Sequence, residues 1–163
     1  TEIYTLSLHD ALPIWIIKSL KQHGLANQSK DGMDITVVSV DLQKKAVQFS
    51  GANNPIYVMR NDELIEYKGD RMPASVYPKM EPFTMHEFDI VPGMWVYMFS
   101  DGFADQFGGP DGGKFKYKPF KRLLESNHKM KADVQRSIIE QTFNEWKSNN
   151  YQVDDNLVLG LKF

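Results

Sequence analysis

The sequence contains no cysteine. A disulfide framework, a thiolate metal site and a cysteine nucleophile are therefore excluded, and a reducing compartment fits. No apolar run approaches the ~18 residues that suggest a membrane-spanning helix, so we expect no membrane segment within this chain. Basic side chains do not outnumber acidic ones, since 19 lysines and arginines stand against 21 aspartates and glutamates, a formal net charge of −2. Nucleic acid is therefore not an expected partner.

The length and composition are those of one globular domain. The chain has 163 residues, of which 42% are hydrophobic and 25% are charged, which suits a domain with a real core. The first 14 residues, TEIYTLSLHDALPI, show no clean helical or strand period and resemble translated sequencing-adaptor read-through. We expect residues 1–14 to be a non-native or disordered leader and residues 15–163 to form the domain. An ordinary N-terminal extension is the alternative.

The apolar pattern predicts mainly strands, then helices, then a closing strand. A first helix is expected to end at Gly24. Strands are predicted at 33–42, 44–52, 55–61, 63–69, 83–90 and 91–100, with a tight hairpin at Asn61-Asp62. Loops are expected at 71–82 and 108–113, and helices at 117–126 and 131–147, the second with an apolar face of Val134, Ile138, Ile139, Phe143 and Trp146. A closing strand at 156–163 completes an α+β fold with helices laid on mostly antiparallel sheets.

Two acidic clusters stand at comparable places in this pattern. Asp101-Gly102 ends an apolar strand, and Asp154-Asp155 directly precedes the closing strand. Carboxylates are the ligands that Mg²⁺ and Mn²⁺ prefer, and glycine lets the backbone turn sharply beside them. Taken alone, each cluster also fits a turn or a solvated connection.

Five stretches together resemble one family in their order and spacing. They are DGMDITVVSVD (31–41), FSGANNPIYVMRN (49–61), KGDRMPAS (68–75), VPGMWVYMFSDGFADQFGG (91–109) and QVDDNLVLGLKF (152–163). In this the chain resembles the metal-dependent PPM (PP2C-type) protein phosphatases, and most of all their bacterial SpoIIE/RsbU-like branch.

The resemblance implies a four-layer α-β-β-α sandwich, with mostly antiparallel sheets, outer helices and a two-metal site. Mn²⁺ or Mg²⁺ would activate a water that attacks phosphoserine or phosphothreonine without a phosphoenzyme. The implied partner is a phosphorylated protein substrate of the kind represented by anti-sigma-factor antagonists. An upstream sensor domain would lie outside this chain. The implied location is cytoplasmic, either free or as the cytoplasmic output domain of a membrane sensor.

The resemblance also assigns site residues. Asp101 resembles the metal-binding acid of the Asp-Gly motif and Asp154 that of the closing motif, while Asp155 is an alternate or supporting ligand. No catalytic residue beyond the metal ligands is implied. Gly102, Asp105, Asn53 and Asn54 are candidates for supporting the metal site or lining a substrate groove. Asp105 fits a helix-terminal acid equally well, and Asn53-Asn54 fits hairpin chemistry better.

One part of the family pattern has no counterpart. The Gly-Asp element that supplies the acid bridging both metals is not found, because Asp10 lies in the leader and Asp31 and Asp34 belong to a later strand. We therefore expect a C-terminal part of the catalytic domain, incomplete at its N-terminus, with little or no activity by itself. A non-catalytic pseudophosphatase that binds a phosphoprotein is the alternative, and an unrelated α+β domain with chance acid pairs is a third.

Other side chains are expected to be structural. His86 falls on the polar phase of its strand and is expected to be exposed rather than a ligand. Trp95 and Trp146 are expected in the core. The stretch GGPDGGKFKYKPFKR (108–122) carries five basic residues. We expect a glycine loop beside the active cleft that leads into a surface helix, with basic residues that could steer an acidic phosphoprotein substrate, and nucleic-acid binding is the alternative.

Overall fold

The computed structural model describes residues 32–75 and 81–163. They divide into two compact units: the described part of Thr1–Ile56 with Tyr67–Ile90, and Tyr57–Glu66 with Val91–Phe163. The predicted leader, the helix ending at Gly24 and part of the loop 71–82 lie outside the described residues.

The first unit contains a three-stranded antiparallel sheet. Its strands are β1 (Ile35–Asp41), β2 (Ala46–Ala52) and β5 (His86–Asp89), in the order β1-β2-β5. The β1–β2 hairpin runs in register from Ile35↔Ala52 to Asp41↔Ala46. At its turn, one carboxylate oxygen of Asp41 accepts hydrogen bonds from two backbone amides, 2.9 Å from each nitrogen. Burial alternates in the first half of β2, where Val47 and Phe49 are buried, and every residue from Phe49 to Ala52 is buried.

The second unit contains a four-stranded sheet in the order β4-β3-β6-β9. Its strands are β3 (Ile56–Arg60), β4 (Glu63–Tyr67), β6 (Trp95–Phe99) and β9 (Val158–Lys162). Strand β6 is central and pairs antiparallel with both β3 and β9. The turn between β3 and β4 has φ values of 52° at Asn61 and 63° at Asp62. Both residue types tolerate this left-handed conformation, so the predicted tight hairpin is confirmed.

Helices cover one face of this second sheet. They are α2 (Tyr117–Asn127) and α3 (Ala132–Lys147), and a short helix α1 (Gly102–Asp105) follows β6 directly. The shared core combines aromatic residues of the sheet with those of the helices and of α1: Tyr57, Trp95, Tyr97, Phe99, Phe103, Phe120 and Phe143. Trp95 is therefore a core residue as expected, and Trp146 packs against the same core.

The predicted apolar face of α3 is wrong at one position. Val134 is 41% exposed, whereas its neighbour Gln135 is only 3% exposed. The Tyr97 hydroxyl donates to Gln135 Oε1 at 2.8 Å, and Gln135 Nε2 donates to the Met130 carbonyl at 3.0 Å. These hydrogen bonds satisfy the amide of Gln135. A polar residue can therefore be buried on the face of α3 where the apolar Val134 was expected.

Two smaller differences concern a histidine and a loop. His86 is partly buried rather than exposed, because its ring stacks on Phe49 with centroids 5.6 Å apart and meets the edge of Tyr67 at 5.4 Å. The predicted glycine loop contains a two-stranded hairpin of β7 (Phe107–Gly108) and β8 (Gly113–Lys114).

The elements confirm the α+β class: antiparallel sheets with helices on a sheet face. Among residues 32–75 and 81–163, no helix has the length and apolar character to cross a membrane.

Candidate metal centre

The two acidic clusters of the sequence meet in the second unit. Gly102 is buried, and a Cβ built on it would lie 2.4 Å from the carbonyl oxygen of Asp155 and 3.3 Å from that of Asp154. Only a residue without a side chain allows the two backbones to approach so closely. The turn after β6 and the segment before β9 are therefore direct neighbours.

Ser100, the last residue before Asp101, fastens these two segments to each other. Its hydroxyl donates to the Asp155 carbonyl at 2.7 Å and accepts from the Leu157 amide at 2.9 Å. Its own amide donates to the Leu157 carbonyl at 3.0 Å. This extends the β6–β9 pairing past the strand ends and fixes where Asp154 and Asp155 emerge.

Gln106 holds the same segment from its other end. Its side chain is fully buried, and Nε2 donates to the Tyr151 carbonyl at 2.8 Å while Oε1 accepts from the Val153 amide at 3.3 Å. Residues 151–157 belong to no helix or strand. Their course therefore depends on the side chains of Ser100 and Gln106.

The carboxylates themselves face solvent. Asp101, Asp154 and Asp155 are all exposed. Asp101 stands at the N-cap position of α1, yet its side chain makes no capping hydrogen bond. One oxygen of Asp154 accepts from the Asp155 amide at 2.7 Å, a local bond that orients the carboxylate. These side chains are available to a ligand.

The donor chemistry fits a hard divalent cation in kind. The side chains are carboxylates, which suit Mg²⁺ and Mn²⁺. However, no group of three or more acidic, histidine or cysteine side chains placed to hold a metal occurs among residues 32–75 and 81–163. The described acids could therefore hold a largely hydrated ion.

Asp105 has a different partner. Its carboxylate forms an ion pair with Lys114 at 2.9 Å, and its amide donates to the Asp101 carbonyl at 2.9 Å. The ion pair connects α1 to β8 and the amide hydrogen bond closes the turn of α1, which supports the structural interpretation of Asp105 more than a role at the metal.

The pKa of Tyr117, at the start of α2, responds to the charges of Asp101 and Asp105. Burial raises the pKa of its phenol, and the negative charges of Asp101 and Asp105 raise that pKa further. Sequence patterns alone did not indicate Tyr117, Ser100 or Gln106, because each acts through residues that are distant in the chain.

Asn53 and Asn54 lie in the first unit, at the end of β2. Asn53 has φ = 59°, and its side chain donates to Asp34 Oδ1 at 2.7 Å. The Asn54 amide donates to the Ala52 carbonyl at 2.7 Å. The φ of Asn53 and the bond from Asn54 to Ala52 are those of a turn, as expected from the residue types. The bond to Asp34 joins the ends of the paired strands β1 and β2. A role in a substrate groove remains a prediction.

Comparison with known proteins gives a consistent result. The family model for stage II sporulation protein E (SpoIIE) matches residues 1–163. Among solved structures, the SiaA-PP2C domain of Pseudomonas aeruginosa is 26% identical with a TM-score of 0.79, covering 93% of this chain and 58% of that one. This chain therefore spans little more than half of that relative. No curated protein matches significantly.

More distant structures share the fold. The RsbU and RsbW domains of a Mycobacterium tuberculosis protein match with a TM-score of 0.69 and 18% identity, over 96% of this chain and 41% of that one. The phosphatase domain of the cell fate determinant SpoIIE from Bacillus subtilis, presoaked with Mn, matches with a TM-score of 0.61 and 12% identity, over 99% and 76%. The interpretation as an unrelated α+β domain is therefore wrong. The chain belongs to the SpoIIE family of PP2C-type phosphatase domains.

Proposed function

We propose that this chain carries part of the centre of a metal-dependent phosphatase that hydrolyses phosphoserine or phosphothreonine in proteins. The observation that carries the proposal is the direct contact between the Asp101-Gly102 turn and the Asp154-Asp155 segment. Two carboxylate-bearing segments, distant in sequence, are held side by side with their acids exposed. A purely structural turn does not require this arrangement.

Each residue has a distinct part in the proposed centre. Asp101 and Asp154 would hold Mn²⁺ or Mg²⁺, with Asp155 as an alternate ligand. When bound, such an ion supplies an activated water and neutralises charge on the phosphoryl group. Gly102 lets the two segments approach, and Ser100 and Gln106 position the acids. No further side chain of the described residues is assigned to proton transfer.

We expect little or no turnover from this chain alone. Tight binding of two ions requires more carboxylate ligands than the described residues bring together. Two separated acids would bind a hydrated Mg²⁺ weakly, because its strongly held waters must be replaced by protein oxygens.

The substrate is proposed to be a phosphorylated protein, such as an anti-sigma-factor antagonist, controlled by an upstream sensor domain. The support is the family and the likeness to the SiaA-PP2C domain of Pseudomonas aeruginosa. The corresponding location is cytoplasmic, free or on the cytoplasmic side of a membrane sensor.

A second candidate is a pseudophosphatase that binds a phosphoprotein without hydrolysing it. The observation in its favour is the lack of a three-residue metal group in the described part of the chain. Under the enzyme hypothesis, phosphate release from a phosphoserine protein with saturating Mn²⁺ is low but falls to background in Asp101→Asn. Under the alternative hypothesis, release stays at background in both proteins while the phosphoprotein still binds.

The exposed acid Asp111 provides a matched control for this assay. It lies in the turn between β7 and β8, so Asp111→Asn removes a carboxylate of the same kind outside the acid pair. Release should be unchanged by this variant. Robust turnover by the wild-type chain would contradict our expectation of weak activity.

A further inference from the structure

A recess of 350 Å³ opens at one end of the four-stranded sheet. The pairing of β6 with β9 shows which end of the sheet this is. Phe99 pairs with Val158 at the end next to Asp101 and Asp154, and Trp95 pairs with Lys162 at the other end. Lys162 lines the recess. The recess therefore lies at the end of the sheet opposite to Asp101 and Asp154.

Basic side chains dominate the lining. Arg60, Lys129, Lys162 and His128 line it together with a single acid, Asp62. The chain as a whole has a formal charge of −2, so this concentration of positive charge is local. Such a concave basic surface attracts anions.

Asp62 compensates only part of this charge. One of its oxygens lies 2.8 Å from His128 Nε2 and the other lies 2.8 Å from Lys129 Nζ. Neither Arg60 nor Lys162 forms an ion pair with any described residue. Lys162 instead lies over the Trp95 ring, 5.5 Å from its centroid, which holds the ammonium at the recess without neutralising it.

The donors left over suit an oxyanion. The Arg60 guanidinium offers paired N–H groups that match two oxygens of one phosphate. Lys162 adds a second charge, and the Lys129 ammonium has N–H groups beyond the one it gives to Asp62. The Asp62 carboxylate repels an anion, but one of its oxygens already faces the Lys129 ammonium and the other faces His128 Nε2.

We propose that this recess is a second anion site, which binds a phosphate group through Arg60 and Lys162 with support from Lys129. Free phosphate and a phosphorylated side chain present the same oxygens, so either can supply this group. The site is remote from the acid pair and does not rest on the proposed catalytic function.

The test is an NMR titration of the ¹⁵N-labelled 163-residue chain in EDTA, so that no divalent ion occupies the acid end. Inorganic phosphate should shift the amide resonances of Asn61, Gly93 and His128 in a saturable manner. Arg60→Gln and Lys162→Gln should each weaken this binding by roughly tenfold, because each removes a charge-assisted contact. A phosphoserine peptide titrated in parallel identifies the source by its higher or lower affinity.

Arg122→Gln is the matched control, because Arg122 is an exposed cation on α2 that does not line the recess. It should leave phosphate affinity unchanged. Arg60→Lys replaces Arg60→Gln if the latter fails to give a folded spectrum. The proposal is overturned if chloride at equal ionic strength causes the same shifts, if no saturable shift occurs, or if Arg122→Gln weakens binding as much as the recess variants.

Discussion

The hydroxyl of Ser100 lies 2.7 Å from the carbonyl oxygen of Asp155 and connects the turn after β6 to the segment that carries Asp154 and Asp155. The Ser100 hydroxyl oxygen also accepts a hydrogen bond from the Leu157 amide at 2.9 Å. One small side chain thus satisfies a donor and an acceptor that no strand pairing reaches. The course of the segment that carries Asp154 and Asp155 depends on this side chain.

Ser100→Ala should both destabilise the domain and weaken metal binding. Loss of the hydroxyl removes two hydrogen bonds, each of which typically contributes about 0.5–1.5 kcal/mol to the unfolding free energy. Urea unfolding and a Mn²⁺ titration measure the two effects. Ser137→Ala is the control, since the Ser137 hydroxyl makes a single hydrogen bond, to the Asp133 carbonyl within its own helix. Equal behaviour of the two variants would show that Ser100 positions nothing.

Gly102→Ala should displace the acid segment. The added methyl would lie 2.4 Å from the Asp155 carbonyl oxygen, so one of the two backbones must move. We expect a lower midpoint of thermal unfolding and shifted amide resonances for residues 154–157. Gly113→Ala is the matched control, because a Cβ there meets no atom within 4 Å. If Gly102→Ala were as mild as Gly113→Ala, the close approach would be unnecessary.

The Tyr117 phenol reports the charge of the acid cluster. Burial is the larger cause of its raised pKa, and Asp101 and Asp105 add to it. Asp101→Asn should therefore lower the pKa of Tyr117 partway toward its ordinary value. A metal-free spectrophotometric titration, with Tyr117→Phe subtracted to isolate this tyrosine, measures the change. A pKa that stays the same or rises would place Asp101 away from Tyr117.

Asp62 should make stability depend on pH in the acid range. Hydrogen bonds from Lys129 first and His128 second lower the pKa of its carboxyl below the ordinary 3.8. A carboxyl with a lowered folded-state pKa stabilises the fold above its unfolded pKa, and this contribution is lost as pH falls through the folded pKa.

Asp62→Asn isolates that contribution, since asparagine also tolerates the left-handed turn conformation. The stability difference between wild type and variant should be present near neutral pH, shrink below pH ~4 and diminish with added salt, because the pair is exposed. Urea unfolding across this range measures it. A difference independent of pH would mean that the two ion pairs of Asp62 do not contribute.

Local patterns predicted most strands, the hairpin at Asn61-Asp62 and both long helices, because period and turn chemistry act over a few residues. The approach of Asp101-Gly102 to Asp154-Asp155 followed from a family resemblance, since each motif alone also fits a turn. Gln135 in place of Val134 on the buried face of α3, and the holding contacts of Ser100 and Gln106, could not be predicted. Each depends on a partner more than 35 positions away in the chain.

The most direct test of the central claim is Mn²⁺ binding by the 163-residue chain, measured by electron paramagnetic resonance of the free ion. Wild type should bind Mn²⁺ weakly. Asp101→Asn and Asp154→Asn should each weaken Mn²⁺ binding by at least ~10–100-fold, which is the loss caused by removing a residue that only supports a metal ligand. Asp111→Asn should keep the wild-type affinity. Equal Mn²⁺ binding by all four proteins would contradict a shared metal centre at Asp101 and Asp154.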